Sequence, residues 1–332
     1  MAPALRLALI VAIAAAGLFA PALLGGTGAV YSAAVLIAIF AVMAYGLDMI
    51  VSDLGEVSLA HTVFFAIGAY AAAMLATRLG LGPVATLLGA IILAVVAAAI
   101  LGVVTLRLKE FVFSLVTYAV AVVAMTVAAN WEFLGGSDGL RGIPPFTLAP
   151  LGLRAETDAQ LWPVAYGLLL VTLYLMHAFR RSRLGQAAVM VHLNPRLATM
   201  SGIDPKRTRL QIFLLSAPVT AAAGWLYAYQ RSFVSADLLE TYFLILMLTS
   251  VVLVGRRLLL GPLIGVALVQ IQEKFFSFGG YVDKIVLGSV LVVVLAFLPG
   301  GLVGLGRSLV ALGRRRGESV AGSMPDVRTV KD

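Results

Sequence analysis

The sequence predicts an all-α, polytopic integral membrane protein of about ten transmembrane helices, with its N- and C-termini on the cytoplasmic face. Three observations carry that prediction. Of 332 residues, 61% are hydrophobic and only 12% charged, at a mean hydropathy of +1.02, whereas a soluble domain carries roughly 25% charged residues. The apolar residues fall in repeated windows of membrane-spanning length. The basic residues concentrate in every second connection between those windows.

Taken in order, the windows are 5–24, 29–51, 57–77, 83–106, 111–130, 161–179, 210–230, 241–255, 258–274 and 283–299. The first has a single early Arg6 before an Ala/Leu/Ile core, the outline of a signal peptide. Its apolar run is longer than a signal core and its small-residue cleavage pattern is poor, so a retained span is expected. The pair 241–255 and 258–274 is short and joined by Gly255-Arg256-Arg257. It reads either as two tilted helices or as one hairpin that turns back before crossing, which leaves the count at eight to ten. The two halves match in span number, as in doubled transporters, without a residue-level repeat.

With both termini inside, Arg6, Arg107, Lys109, Arg256, Arg257, the basics of 180–209 and those after Leu305 are cytoplasmic. Only Arg78, Arg141, Arg154, Arg231, Lys274 and Lys284 lie outside. The net charge of +8 is therefore explained by topology rather than by nucleic acid, and no nucleic-acid partner is expected. The transmembrane domain covers 1–306. Within it, 180–209 is a cytoplasmic loop and 131–160, with Gly135-Gly136 and Pro144-Pro145, a turn-rich outer loop expected to form a compact lid or docking surface. The tail 307–332 reads as basic and disordered, its arginines anchoring to anionic membrane lipid.

Few residues offer chemistry. With no cysteine and three scattered histidines, no metal site is expected. Asp53 to Thr62, DLGEVSLAHT, sets polar groups against an apolar run. One reading is a broken or re-entrant helix whose Ser58, His61 and Thr62 border a translocation path, since irregular backbone at membrane depth must be buried in protein or face water. The other is a loop followed by a helix start, with Ser58 as N-cap. Ser58 has no nucleophile elbow around it, which disfavours a hydrolase. Asp48, near a span end, reads as an interfacial acid rather than a proton relay. Gly68 and Ala69 to Ala73 form a small-residue face for close helix packing. In the fifth span, Ser114, Thr117 and Tyr118 can share a face, as hydroxyls offered to a polar solute or as interhelical hydrogen bonds.

No acid–arginine set lies in mid-span, which argues against a proton- or sodium-driven carrier, and no GxxxxGK[ST] run exists for ATP hydrolysis. Energy is expected from a partner. The stretch RRSRLGQAAVMVHLNPRLATMSGIDPKRTR, Arg180 to Arg209, then becomes the point of entry. A helix over Leu184 to Met200, apolar on one side, can seat in a groove on a soluble ATPase or lie on lipid. The turn Gly202-Ile203-Asp204-Pro205, which holds it off the membrane, favours docking.

Several stretches together resemble the LivM-type permease subunits of branched-chain amino acid ABC importers. They are SLAHTVFFAIGAY (Ser58 to Tyr70), GGSDGLRGIP (Gly135 to Pro144), SRLGQA (Ser182 to Ala187), Gly202-Ile203, LSAPVTAAAGWLYA (Leu215 to Ala228) and PGGLVGL (Pro299 to Leu305). The likeness runs from about Val35 to Leu305, in the family's order. It implies a multi-pass subunit of the bacterial inner membrane, not an enzyme. Its implied partners are a second, LivH-like permease, two cytoplasmic ATPases that use ATP, and a periplasmic substrate-binding protein. No cofactor is implied in this chain. The resemblance places the coupling helix between Ser182 and Gly202. The residues assigned to ATPase coupling are Ser182, Leu184, Gly185, Ala188, Val191, Met200 and Gly202.

The chain departs from the family at Val191-His192-Leu193-Asn194-Pro195, where an acidic run is usual, and at Gly255 to Pro262, where the family turn is richer in glycine. The substrates implied are branched-chain amino acids or related small polar and carboxylate solutes, with selectivity resting largely on the binding protein. The alternatives from other classes are a self-contained carrier driven by an ion gradient and a purely structural membrane protein.

Overall fold

The computed structural model describes residues 15–105, 108, 110–148, 152–275, 281–297 and 301–304. The start of the first predicted span, Arg6, Arg107, Lys109 and the 307–332 tail lie outside them. After α1 (15–23), the chain forms α2 (Gly28–Asp48), α3 (His61–Leu79), α4 (Pro83–Thr105), α5 (Glu110–Asn130), α6 (Asp158–Arg181), α7 (Arg183–Leu193) and α8 (Pro195–Met200). It continues through α9 (Pro205–Arg231), α10 (Thr241–Val254), α11 (Gly261–Phe275) and α12 (Tyr281–Phe297). Six helices among the described residues are long and apolar enough to cross a membrane, and three shorter apolar ones, within α10, α11 and α12, accompany them. The all-helical, multi-pass expectation holds.

The centre is built from α2, α3 and α9, whose apolar windows are 83%, 67% and 78% buried. In membranes helices associate by close packing rather than by a hydrophobic force between them, and here small residues set the distance. A Cβ on Gly68 of α3 would stand 1.9 Å from the Ala221 carbonyl oxygen of α9, and one on Gly224 of α9 would stand 1.9 Å from the Phe65 carbonyl oxygen. Two backbones approach where only hydrogen fits, and the predicted Gly68 face lies in this crossing. In α4 and α5, by contrast, only 22% of each window is buried. Val84, Leu88, Ile92, Val96 and Ile100 of α4 form a stripe at steps of four that faces away from the core.

The connecting loops gather at two opposite ends of the bundle. Residues 55–60, α7–α8, the start of α9 and the Gly255–Leu258 turn converge at one end, the one assigned to the cytoplasm. At the other end, the outer loop carries β1 (Leu140–Arg141), β2 (Phe146–Leu148) and β3 (Leu153–Ala155), with β2 and β3 antiparallel. β1 instead pairs with β4 (Phe233–Val234), just after α9, in the register Leu140↔Val234. Arg78, in the last turn of α3, donates Nη2 to the Phe133 carbonyl at 2.6 Å.

The short pair is two separate helices with an entering segment ahead of it. After β4 the chain makes a 3-10 turn, Ala236–Leu239, packed on α3 and α5. The Thr241 hydroxyl comes within 3.5 Å of Tyr118, a residue about 12 Å along α5 from its start at 1.5 Å per residue. α10 thus begins well inside the bundle, and 14 residues suffice to bring it back to the cytoplasmic end. Length in sequence misled here because part of the crossing is made by irregular chain.

Candidate functional site: a coupling end and an outer cavity joined by one helix

At the cytoplasmic end α2 does not stop at Asp48 but winds on as a π-helical turn, Met49–Leu54, closed by Gly55 at φ +76°. Wider turns of this kind often mark functional positions. The turn and its two flanks hold acids where apolar residues are usual: Asp48, Asp53 and Glu56 are 1%, 0% and 4% exposed. Buried carboxylates are tolerated when paired, and each has an arginine. Arg180, at the end of α6, donates Nη2 to Asp48 Oδ2 at 2.6 Å and Nε to Asp53 Oδ2 at 3.1 Å. Arg257, in the α10–α11 turn, donates Nε to the other oxygen of Asp53 at 3.1 Å. Arg209, in the first turns of α9, pairs with Glu56 at 2.6 Å.

Asp48 is therefore no interfacial acid but a buried partner of Arg180. The expectation that the interior lacks an acid–arginine set holds for mid-span only, because the set gathers at the end of α2. Its signal was in the sequence: three acids within nine residues beside an apolar run, and arginines bounding the basic loop.

Arg180 and Arg209 bracket the predicted coupling segment, which is two helices rather than one. Asn194 Oδ1 accepts from the Arg196 and Leu197 amides, and Pro195 stands at the first helical position of α8. An Asn cap followed by Pro starts a helix, so the unusual His192 to Pro195 run breaks Leu184–Met200 in the middle. The His192 ring lies over Gly55, where a Cβ would meet it.

Of the residues assigned to coupling, Gly185, Ala188 and Val191 are buried and Leu184 is half-buried, so they face the chain itself. This corrects the assignment: at a spacing of three they share one helix face, and that face packs inward. Ser182 caps α7, its Oγ accepting from the Gly185 amide at 3.2 Å, and Gly202 is an exposed turn at φ +79°. Met200 alone presents a large exposed apolar side chain, and Met190, Leu193 and Leu197 join it on the outward face.

Five of the six residues expected along a path have other partners, while the buried Thr62 hydroxyl has none among the described residues. His61 begins α3 and stands 3.1 Å from Ser58 Oγ through Nδ1 and 3.2 Å from Ser216 Oγ of α9 through Nε2. Ser216 donates its own proton to the Phe213 carbonyl, so the network assigns the imidazole proton to Nε2, donating to Ser216, and lets Ser58 donate to Nδ1. Ser58 therefore does not cap α3, whose cap position is Ala60. Ser114 donates to the Val57 carbonyl at 2.7 Å, and Thr117 Oγ1 accepts from the Leu59 amide at 3.1 Å. These hydroxyls satisfy the irregular backbone of 55–60, the requirement for such a segment at membrane depth. Thr62 is fully buried, and Tyr118 touches Thr241. None of the six lines the cavity described next.

Sequence reasoning missed that cavity. A space of about 630 Å³ opens along α2 from Ala29 to Phe40, bounded across from α2 by Tyr227 and Arg231 of α9, Tyr242 and Phe243 of α10, and Gln270 of α11. From Ala29 to Phe40 it descends about 16 Å at the helical rise. Its floor is aromatic: the Phe243 ring centroid lies 5.9 Å from Phe40, 5.8 Å from Phe65 and 6.3 Å from Tyr227. One helix thus carries the cavity wall on its outer half and the acid cluster at its inner end.

A protein-family comparison identifies this architecture. The model described as "Branched-chain amino acid transport system / permease component" matches residues 29–295. The chain belongs to that family. As a member it is a transport permease component, a multi-pass protein of the inner membrane and one part of a larger transport system. It is similar to the high-affinity branched-chain amino acid transport system permease protein LivM of Escherichia coli (strain K12), 27% identical over 309 residues, which cover 86% of this chain and 73% of that protein. LivM of Salmonella typhimurium is 26% identical over 304 residues, covering 84% and 72%. No solved structure matches. The resemblance read from the ordered motifs is borne out, and the self-contained carrier gains no support.

Proposed function

We propose that this permease component is half of the transmembrane path of an ATP-driven importer for branched-chain amino acids or closely related solutes. A LivH-like second permease supplies the other half. Two cytoplasmic ATPases bind and hydrolyse the ATP, for which this chain has no motif, and a periplasmic binding protein delivers the solute to the outer loop 131–160. Lipid contacts the α4 stripe and the basic tail.

The observation that carries the reading is the continuity of α2. Arginines on both sides of α7–α8 are tied to acids in its terminal turn, and its outer half walls the cavity. A displacement of α7–α8 by an ATPase is transmitted through Arg180 and Arg209 to α2, and the aromatic floor at Phe40 and Phe243 is the barrier such a movement shifts. Met190, Leu193, Leu197 and Met200 supply the apolar docking face. Reversing a 1:99 population of two conformations requires about 5.5 kcal/mol of differential binding, within what ATP binding at a partner supplies.

The chain has no cysteine, so single cysteines report cleanly. Cysteines at Leu193 and Met200 are expected to cross-link to the ATPase in the assembled complex, and one at Val191 is not. Failure at both outward positions, or solute uptake that persists without any ATPase and collapses with the ion gradient, overturns the proposal.

A further inference from the structure

Two opposite charges face the outer cavity or the space adjoining it, and neither has a charged partner among the described residues. Arg231 ends α9 and lines both the 630 Å³ cavity and an adjoining space of about 290 Å³. Among the described residues it makes no ion pair. Its guanidinium carbon lies 5.7 Å from the Tyr227 ring centroid, a contact that consumes none of its five N–H donors. Asp237, in the 3-10 turn that enters the bundle, lines the 290 Å³ space together with Arg231. It accepts one hydrogen bond, from Ser235 Oγ at 2.9 Å, and no described cation pairs with it. Beside it, within electrostatic reach, Tyr70 is 7% exposed and its hydroxyl is buried without a hydrogen-bond partner. The acids at the opposite end of the bundle are buried and each has an arginine, whereas Asp237 is exposed and open to a ligand.

Arg231 and Asp237 are both exposed at the outer end of the bundle, where opposite charges can meet a solute arriving from water. The remaining wall is apolar, with Leu36, Ile37 and Phe40 on one side and Phe243 and Ile271 on the other. A cavity of a few hundred Å³ with a few polar groups on an apolar lining is the form of a small-molecule site. We infer that Arg231 and Asp237 are the two poles of a recognition site for an α-amino acid zwitterion, the guanidinium taking the carboxylate, the aspartate taking the ammonium group, and the apolar wall taking an aliphatic side chain. Arginine suits the first role through its paired N–H donors. The site places part of the selectivity in this chain rather than wholly in a delivering protein. It rests on the permease reading for the solute's direction of travel, but not for its occupancy.

The test uses the transporter reconstituted in proteoliposomes, with Ser32→Cys as a reporter in the cavity wall and charged methanethiosulfonate reagents as labels. Labelling by the anionic sulfonatoethyl reagent is expected, slowed severalfold by millimolar L-leucine. L-leucinamide, which lacks the carboxylate, and isocaproate, which lacks the amine, should protect far less. Arg231→Gln should remove protection and slow the anionic reagent relative to the cationic trimethylammonium-ethyl one. Arg231→Lys should restore the reagent preference, and Asp237→Asn should remove protection while raising the anionic preference. A reporter that never labels, protection by leucinamide or isocaproate equal to that by leucine, or protection unchanged in Arg231→Gln overturns the site. Protection that tracks phosphatidylethanolamine content instead of leucine also overturns it, in favour of a lipid headgroup. No ATP enters the labelling assay, so loss of ATP-driven uptake with leucine protection intact is a failure of the transport reading and not of this one.

Discussion

Asp53 is wholly buried and binds Arg180 through one carboxylate oxygen and Arg257 through the other, each at 3.1 Å. One side chain thereby joins the end of α6, the last turn of α2 and the α10–α11 connection. The two arginines are unequal: the Arg180 side chain is 12% exposed and that of Arg257 45%. Arg257 also holds a left-handed φ of 61°, a conformation that costs a non-glycine residue about 1 kcal/mol or more. The Arg180 contact is the more buried of the two and the Arg257 contact the more exposed.

Removing the hub should therefore cost far more than removing its exposed partner. Asp53→Ala leaves Arg180 buried and short of a partner, and should destabilise the subunit by about 3–5 kcal/mol, the range for breaking a buried pair. Arg257→Gln should cost about 1 kcal/mol or less, as for half-exposed pairs. Detergent thermal melts of the two variants check the order, and equal losses would show that Asp53 is not a hub.

The α3–α9 crossing predicts intolerance to a single methyl group. Gly68→Ala and Gly224→Ala each drive a Cβ into a carbonyl oxygen on the facing helix. Overpacking of this kind costs about 1–3 kcal/mol. Both variants should melt earlier than Ala69→Gly on the same face, and a neutral Gly68→Ala would mean that the helices can separate without penalty.

His61 is predicted to hold structure rather than solute. His61→Ala removes a buried ring that stacks edge-on against Phe64 and Phe213 and frees two hydroxyls, Ser58 and Ser216. About 2–5 kcal/mol of stability should be lost, with the KM for uptake by the surviving folded protein unchanged. A raised KM at full stability would return His61 to the solute path.

The break between α7 and α8 has a local test. Asn194→Ala removes the acceptor for two amides at the start of α8 and should cost about 1 kcal/mol. Faster hydrogen exchange is expected over Pro195–Met200 while α7 and α9 keep their protection. Unchanged exchange would mean that Pro195 alone sets the start of α8.

How much of this was legible in the sequence depended on whether the signal was local. Composition and periodicity are local, and they sufficed for the membrane class, most span positions and the small-residue face at Gly68. Ordered motifs added the family. The basic segment between Arg180 and Arg209 was legible from its charge, but the inward face of α7 was not, because Gly185, Ala188 and Val191 look alike whether they meet a partner or the chain's own core.

The sequence by itself determined that this chain is a multi-pass helical permease component with a basic segment between two spans, because hydrophobic length and charge bias act residue by residue. Only the tertiary structure decided what the polar residues do. Asp53 and Arg257 are 204 residues apart, and His61 and Ser216 are 155 apart. The outer cavity draws on four helices and the turn ahead of α10. A buried charge or hydroxyl is defined by the partner that compensates its desolvation, and in this fold the partner lies on another helix.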